Sequence, residues 1–401
     1  MTSCQPFGDL DLERLRLTSG GQKSRVRVLT ITPFYPSVED PSQGRFVSEP
    51  LAYLGSHSIS NKTVAVHPFY RGHAHSLRSA PSDSITYFCA PSNVGLPTSG
   101  EFVSKQLLRR LLEEHLRNPF DLIHAHAALP CGHASMLLSK HLRIPFVISV
   151  HGLDAFFVRQ AGILVRTWCK RIAREVYRSA AAVICISEKV REQVLREVSA
   201  NTAVVYNGVD AETFSTREKT DSLLTVLSVG NLIPTKGHAD LLRAFAPVSK
   251  NINCTLEIVG DGREGRNLNK LASELGVRDK VNFRGRESKD AVAEAMRRCT
   301  VFALPSVYEG LGCVYLEAMA CGKPVIACKG QGIEEVIQHG RTGFLVSPGS
   351  NAELTEAIAM LLGDPVLCRK VGAAARELIV ERFTVQHQAK QLAMIYEQCY
   401  R

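Results

Sequence analysis

Short apolar runs of strand length recur along this chain, each leading through a turn into a helical pattern, and the series starts afresh near residue 223. That alternation constrains the fold more than any other feature, because strand–helix–strand repeats build a parallel sheet with helices on both faces. The first series opens with VRVLTIT at 26–32, which ends in Pro33-Phe-Tyr-Pro36. It continues with candidate strands at 63–67, 121–126, 145–150, 181–186 and 203–206, and with helical patterns at 102–116 and 134–142. The second series begins with LLTVLSV at 223–229 and predicts later strands at 255–259, 280–283, 300–304, 324–327 and 343–346. Its helices are expected at 238–248, 266–275, 289–297, 316–320 and 351–362. At 401 residues the chain exceeds one ordinary core and suits two domains of roughly 200 residues each. The expected class is therefore α/β: two doubly wound parallel sheets facing across a cleft, with ligands at the carboxyl ends of the strands. The domains are expected at 25–210 and 211–382, joined by a polar linker at 211–222.

Several function classes fall away early. No run approaches the roughly 18 to 20 uncharged apolar residues of a membrane-spanning helix. Residues 1–24 read as a polar leader, and Asp9, Asp11, Glu13, Arg14 and Arg16 interrupt any signal-peptide core. The twelve cysteines include no Cys-x-x-Cys pair, and Cys313, Cys321 and Cys328 are too widely spaced for a zinc knuckle. Cys185, Cys254, Cys299 and Cys328 sit in or beside apolar runs, so buried reduced thiols and a cytoplasmic setting are expected. A formal net charge of +9 favours an anionic partner. Nucleic acid is not expected, since there is no helix-turn-helix signature, finger spacing or aromatic-rich basic strand.

The chemistry concentrates between Pro305 and Val325. There an apolar strand runs through Pro305-Ser-Val-Tyr-Glu-Gly-Leu-Gly312 into a helix that ends at Gly322 before the next strand. Gly310 and Gly312 allow the backbone to approach a ligand and aim N–H groups at it. The helix N-terminus adds a positive dipole end, which makes a natural pyrophosphate site. Glu309 stands at that mouth and Glu317 two turns later, where carboxylates can grip sugar and ribose hydroxyls by hydrogen bonds.

Glu309-x7-Glu317, set within Pro-Ser-x-x-Glu-Gly-x-Gly and Leu-Glu-Ala-Met-Ala-Cys-Gly-x-Pro-Val, resembles the signature of family-4 retaining glycosyltransferases of the two-Rossmann GT-B fold. The resemblance runs from about Val26 through Gly44, His151-Gly-Leu-Asp154, Ala182-Val-Ile-Cys-Ile-Ser187 and Asn207-Gly-Val-Asp210. It continues with Val229-Gly-Asn-x4-Lys-Gly237, Ile258-Val-Gly-Asp-Gly262 and Gly340-x-Thr-Gly343. In detail the chain is similar to the subgroup that builds cell-wall or exopolysaccharide chains, such as teichuronic-acid transferases. The resemblance implies that Glu309 contacts the transferred sugar and Glu317 the nucleotide ribose. Backbone amides of Gly310, Leu311 and Gly312 would meet the diphosphate or sugar, and Lys236 the phosphates. Gly260 would also border the donor, while Arg284, Gly285 and Arg286 would run past the base. Gly44 would let its loop close over the phosphate, and His151 would reach the donor sugar near the scissile bond. The segment 383–401 would cross back onto the first domain.

Two departures stand out. Asn231 occupies a position where the family carries Arg, which removes a positive charge from the leaving diphosphate; Lys236, helix ends or Arg263 would have to compensate. Leu311 replaces a common Phe, an apolar-for-apolar change. The implied reaction is transfer of a hexose-type sugar from a nucleotide-diphosphate donor, uridine first, to a glycan or lipid-linked acceptor. Retention of anomeric configuration also follows from the resemblance. No Asp-x-Asp element is placed to hold a metal, so neither metal nor cofactor is expected. An epimerase- or phosphorylase-like enzyme on the same architecture, or a silent donor-binding subunit, stand as the alternatives.

Other signals carry less. Gly260-Asp-Gly262-Arg-Glu-Gly265 matches a dinucleotide fingerprint, but the next strand ends in Arg284-Gly-Arg286 rather than an acidic residue. His124 and His126 lie two apart at a strand end and read as polar packing on the acceptor side of the cleft, with Asp154 nearby. Residues 156–178 combine Arg159, Arg166, Lys170, Arg171, Arg174 and Arg178 with apolar residues around the single Trp168. That pattern suits either a solvated helix edge or contact with an anionic membrane.

Overall fold

The computed structural model describes residues 26–37, 43–68, 85–90, 96–152, 162–216 and 223–400. The expected leader at 1–24, Asp154, and the part of the 156–178 helix before 162 lie outside the described residues. Seven strands form the first sheet: β1 (Val26–Thr32), β2 (Ile59–Pro68), β3 (Ile85–Ala90), β4 (Leu122–His126), β5 (Phe146–Val150), β6 (Ala182–Cys185) and β7 (Thr202–Val204). They lie in the order β3-β2-β1-β4-β5-β6-β7, with every pair parallel. The helices are α1 (Arg45–Tyr53), α2 (Pro97–Arg117), α3 (His133–Leu142), α4 (Ile163–Ser179) and α5 (Glu188–Glu197).

The second sheet holds β8 (Leu224–Val229), β9 (Cys254–Val259), β10 (Val281–Gly285), β11 (Val301–Ala303), β12 (Val325–Cys328) and β13 (Phe344–Val346). Its order is β10-β9-β8-β11-β12-β13, again with parallel pairs throughout. Its helices are α6 (His238–Asn251), α7 (Gly265–Glu274), α8 (Lys289–Arg298), α9 (Cys313–Ala320), α10 (Asn351–Gly363) and α11 (Pro365–Arg382), followed by α12 (Val385–Tyr400). Both sheets are doubly wound, and both reverse strand order beside their first strand, at β1/β4 and β8/β11. Those switch points open the crevices where such sheets bind ligands.

Boundaries differ from expectation where local sequence hides the first turn. α2 begins at Pro97, five residues before the periodic pattern, because Pro97, Ser99 and Gly100 carry no apolar stripe even though they are buried. α9 begins at Cys313 rather than 316, directly after the glycine that caps it. β3 and α1 carried no sequence expectation: β3 is an edge strand paired only to β2, and α1 contains Pro50.

The chain passes between the lobes at 209–216 and again at 382–385, and the two crossings are bonded to each other. Val209 N donates to Phe383 O at 2.9 Å, and Val385 N to Val209 O at 3.1 Å. Beyond the second crossing, α12 packs on the first lobe, where Ala389, Leu392, Ala393 and Tyr396 share a core with Val26, Val28, Leu122, Val147 and Ile184. A second core layer continues from one lobe to the other, with Ile186 and Val190 on one side and Leu311 and Ile333 on the other.

Candidate functional site

The left-handed turn at Gly312 (φ 87°) sets the loop between β11 and α9. A Cβ there would sit 2.6 Å from the Tyr315 ring, so only glycine permits the turn that starts the helix at this point. Just before it, Glu309 is 8 % exposed, and its Oε1 lies 2.5 Å from Lys236 Nζ. Gln331 Oε1 accepts from Glu309 N at 3.0 Å and thereby fixes the backbone beneath the carboxylate. The first lobe closes over this loop. Ser187 Oγ donates to Gly310 O at 2.6 Å, and His151 O lies 3.0 Å from where a Cβ on Gly310 would project. His151 and Glu309 thus come from separate lobes to adjoining backbone.

Beside this loop a cavity of about 410 Å³ opens between the lobes. Gly230, Asn231, Gly260, Arg286, Cys313 and Glu317 line it from the second lobe, while Arg45, Phe46 and Glu49 enter from α1. Lys289 ties the walls together, 2.6 Å from Glu49 Oε1 and 2.8 Å from Asp210 Oδ2. Burial pushes the Asp210 carboxyl up, but hydrogen bonds from Lys289 and Thr213 outweigh it and hold the group at about 2.

Glu317 behaves in the opposite way. Burial pushes its carboxyl up to about 7, with Glu49 adding to the rise and Arg45 and Lys289 opposing it. A carboxyl raised above its ordinary 4.5 favours the folded state most below that pH, and the contribution is lost as pH rises through about 7. Glu317→Gln should therefore stabilise the protein at pH 8 by about 2 kcal/mol, with a much smaller gap at pH 5. Thermal melts across that range that show a constant difference would contradict the assignment.

Three histidines lie side by side at the carboxyl edge of the first sheet. His124 is fully buried, 2.6 Å from Tyr396 Oη and 2.7 Å from Ser149 Oγ, and burial pushes it down to about 3. It is a neutral core residue held by α12, not a cleft-facing group. His126 Nδ1 lies 2.9 Å from His151 Nε2, with the rings nearly parallel at 13°. Burial also pushes His151 down to about 3, and its ring meets Phe46 at 4.7 Å. Both rings are accordingly neutral at ordinary pH, and one of the two facing nitrogens donates to the other.

The expected residues thus divide. Lys236, Glu309, Gly310, Gly312 and His151 converge at the loop, and Asn231, Gly260, Arg286 and Glu317 at the cavity. Leu311 is 1 % exposed and serves the core. Arg284 is drawn away, 3.0 Å from Glu257 and 3.2 Å from Glu287, and Gly285 ends β10 outside the cavity lining. Arg263 is exposed on the turn before α7 and does not line the cavity. Gly44 caps α1 and acts through it. Arg45, Glu49, Asp261, Glu287 and Lys289 were not singled out from sequence. Arg45 and Glu49 stand four apart directly after Gly44, the one local signal that could have marked them.

Comparison with known proteins bears on the family and the fold. Residues 210–378 match the family model for glycosyl transferases group 1, and residues 17–213 the model for glycosyltransferase family 4. The alpha-maltose-1-phosphate synthase of Mycolicibacterium smegmatis is 33 % identical over 307 residues, covering 69 % of this chain and 78 % of its own. The N-acetyl-alpha-D-glucosaminyl L-malate synthase of Bacillus anthracis is 30 % identical over 303 residues, 72 % of this chain and 78 % of its own. Among solved structures, Anabaena HepE in complex with UDP-glucose superposes with a TM-score of 0.72 at 23 % identity, covering 93 % of this chain and 99 % of that one.

Proposed function

The chain belongs to family 4 of the glycosyltransferases and has the GT-B fold, and on that premise we propose that it transfers a hexose-type sugar from a nucleotide-diphosphate donor with retention of configuration and without a metal. One observation supports this reading above the others: Lys236 and Glu309 meet at the mouth of α9, whose second turn carries Glu317 into an interlobe cavity. In the proposed complex the nucleotide occupies that cavity, with Glu317 on the ribose and Arg286 beside the base. The diphosphate lies across the N-terminus of α9, where its developing charge meets Lys236 and main-chain N–H groups. Glu309 grips the sugar, and His151 reaches it from the first lobe. The structural neighbour's complex with UDP-glucose favours a uridine donor.

Nucleoside diphosphate release from UDP-, GDP- and ADP-sugars, assayed with glycan and lipid-linked acceptors in excess EDTA, tests the donor and metal independence together. Anomeric proton NMR of the product tests retention. If EDTA abolishes turnover and magnesium restores it, the metal-free mechanism is wrong. Release without any acceptor would point to hydrolysis instead.

We further propose that the acceptor is a polysaccharide or cell-envelope precursor reached at an anionic membrane through α4. Ile163 and Leu164 are 69 % and 84 % exposed at the start of that helix, with Trp168 also exposed. Lys170 and Arg174 are committed to Glu197, so Arg166, Arg171 and Arg178 supply the exposed charge. No helix among the described residues is long and apolar enough to cross a membrane. Sedimentation with vesicles containing phosphatidylglycerol should carry the protein down at low salt, and Ile163→Gln/Leu164→Gln should lower the bound fraction about tenfold. Equal sedimentation of both proteins would remove α4 from the role.

A further inference from the structure

Among the described residues, the cavity lining mixes Glu49, Asp210, Asp261, Glu287 and Glu317 with three cations, Arg45, Arg286 and Lys289. That is an unfavourable balance for a diphosphate. Lys289 is already held between two carboxylates. Asn231 contributes no charge. Arg45 differs from Lys289: among the described residues it makes no hydrogen bond or ion pair, yet it lines the cavity close enough to lower the Glu317 carboxyl.

Its placement is firmly set. Gly44 adopts φ 68°, and a Cβ there would lie 2.3 Å from the Phe34 carbonyl carbon, so α1 starts pressed against the end of β1. Arg45 and Glu49 are one turn apart on the same face of α1. Glu49 is anchored to Lys289 across the cleft, which holds that face, and Arg45 with it, towards the cavity. The first turn of α1 carries no acidic residue to compete for the guanidinium.

We propose that Arg45 is a ligand of the donor's phosphates, a guanidinium supplied by the first lobe that provides the charge absent at Asn231. This rests on the donor reading given above. A planar guanidinium suits bidentate contact with phosphate oxygens, and its arrival from the opposite lobe makes diphosphate binding sensitive to closure of the cleft.

The test uses the full chain and calorimetry with UDP, GDP and ADP, plus the nucleoside of whichever binds. Arg45→Gln should weaken that diphosphate about tenfold or more while leaving the nucleoside unchanged. Adding Asn231→Arg to Arg45→Gln should recover at least about half of the lost affinity on a logarithmic scale, since the new guanidinium enters the same cavity. Unchanged diphosphate affinity in Arg45→Gln, or equal losses for diphosphate and nucleoside, would overturn the role of Arg45 alone. Failure of Asn231→Arg to recover anything would overturn the charge-replacement argument. If the wild type binds none of the three diphosphates, the donor reading itself falls.

Discussion

Lys236→Ala should lower kcat/KM about 100-fold, equivalent to about 2.7 kcal/mol of transition-state stabilisation. The side chain is poised for this effect because it meets Glu309 at 2.5 Å in a site where both side chains are largely withdrawn from water. Removing the ammonium also strands a buried carboxylate, which by itself costs stability on the order of 3 kcal/mol. The two effects separate in a double substitution. Lys236→Ala/Glu309→Gln should regain most of the lost stability, because no unpaired charge remains, yet recover none of the turnover. A double variant that recovered activity along with stability would show the pair to be merely structural.

Gly332→Ala should be nearly as damaging by a purely steric route. The added Cβ would lie 1.8 Å from Gly310 O and 3.1 Å from Leu311 Cα, and neither backbone atom can swing aside as a flexible side chain could. Gly310 O is also the acceptor for Ser187 Oγ, and Gly332 N donates to Glu309 O at 3.2 Å. Relief of the clash therefore has to displace the Glu309–Gly312 loop from the first lobe. Turnover should fall at least about 100-fold, and stability by about 3 kcal/mol, within the range of overpacking and lost loop hydrogen bonds. A variant that melts and turns over like the wild type would mean the loop yields more readily than its contacts imply.

How far the sequence discloses this site depends on the range of the interaction concerned. The strands, the glycine-bearing loop and the Glu309–Glu317 spacing are local, so periodicity and motif expose them without a structure. Glu309 and Lys236 were singled out separately, but their direct ion pair spans 73 residues and has no local trace. The Glu49–Lys289 pair spans 240 residues, and α1, which carries one partner, has Pro50 to blur its helical pattern. Arg284 misled for the same reason. Glu287, three residues on, is a local partner, but nothing local announces that Glu257, 27 residues earlier on the neighbouring strand, also holds the guanidinium outside the cavity. His124 read as strand-end polar packing, but its partner Tyr396 is 272 residues away.

The paired crossings at Val209 and Thr384 have a mechanical consequence. Two crossings bonded side by side act as one double connection between the lobes, so neither segment can shift without the other. Sliding of one crossing past the other would have to break the Val209–Phe383 and Val385–Val209 bonds. Arg45 and Glu49 on the first lobe are thereby held in register with Lys289 and Glu317 on the second, so the cavity walls meet a substrate already aligned.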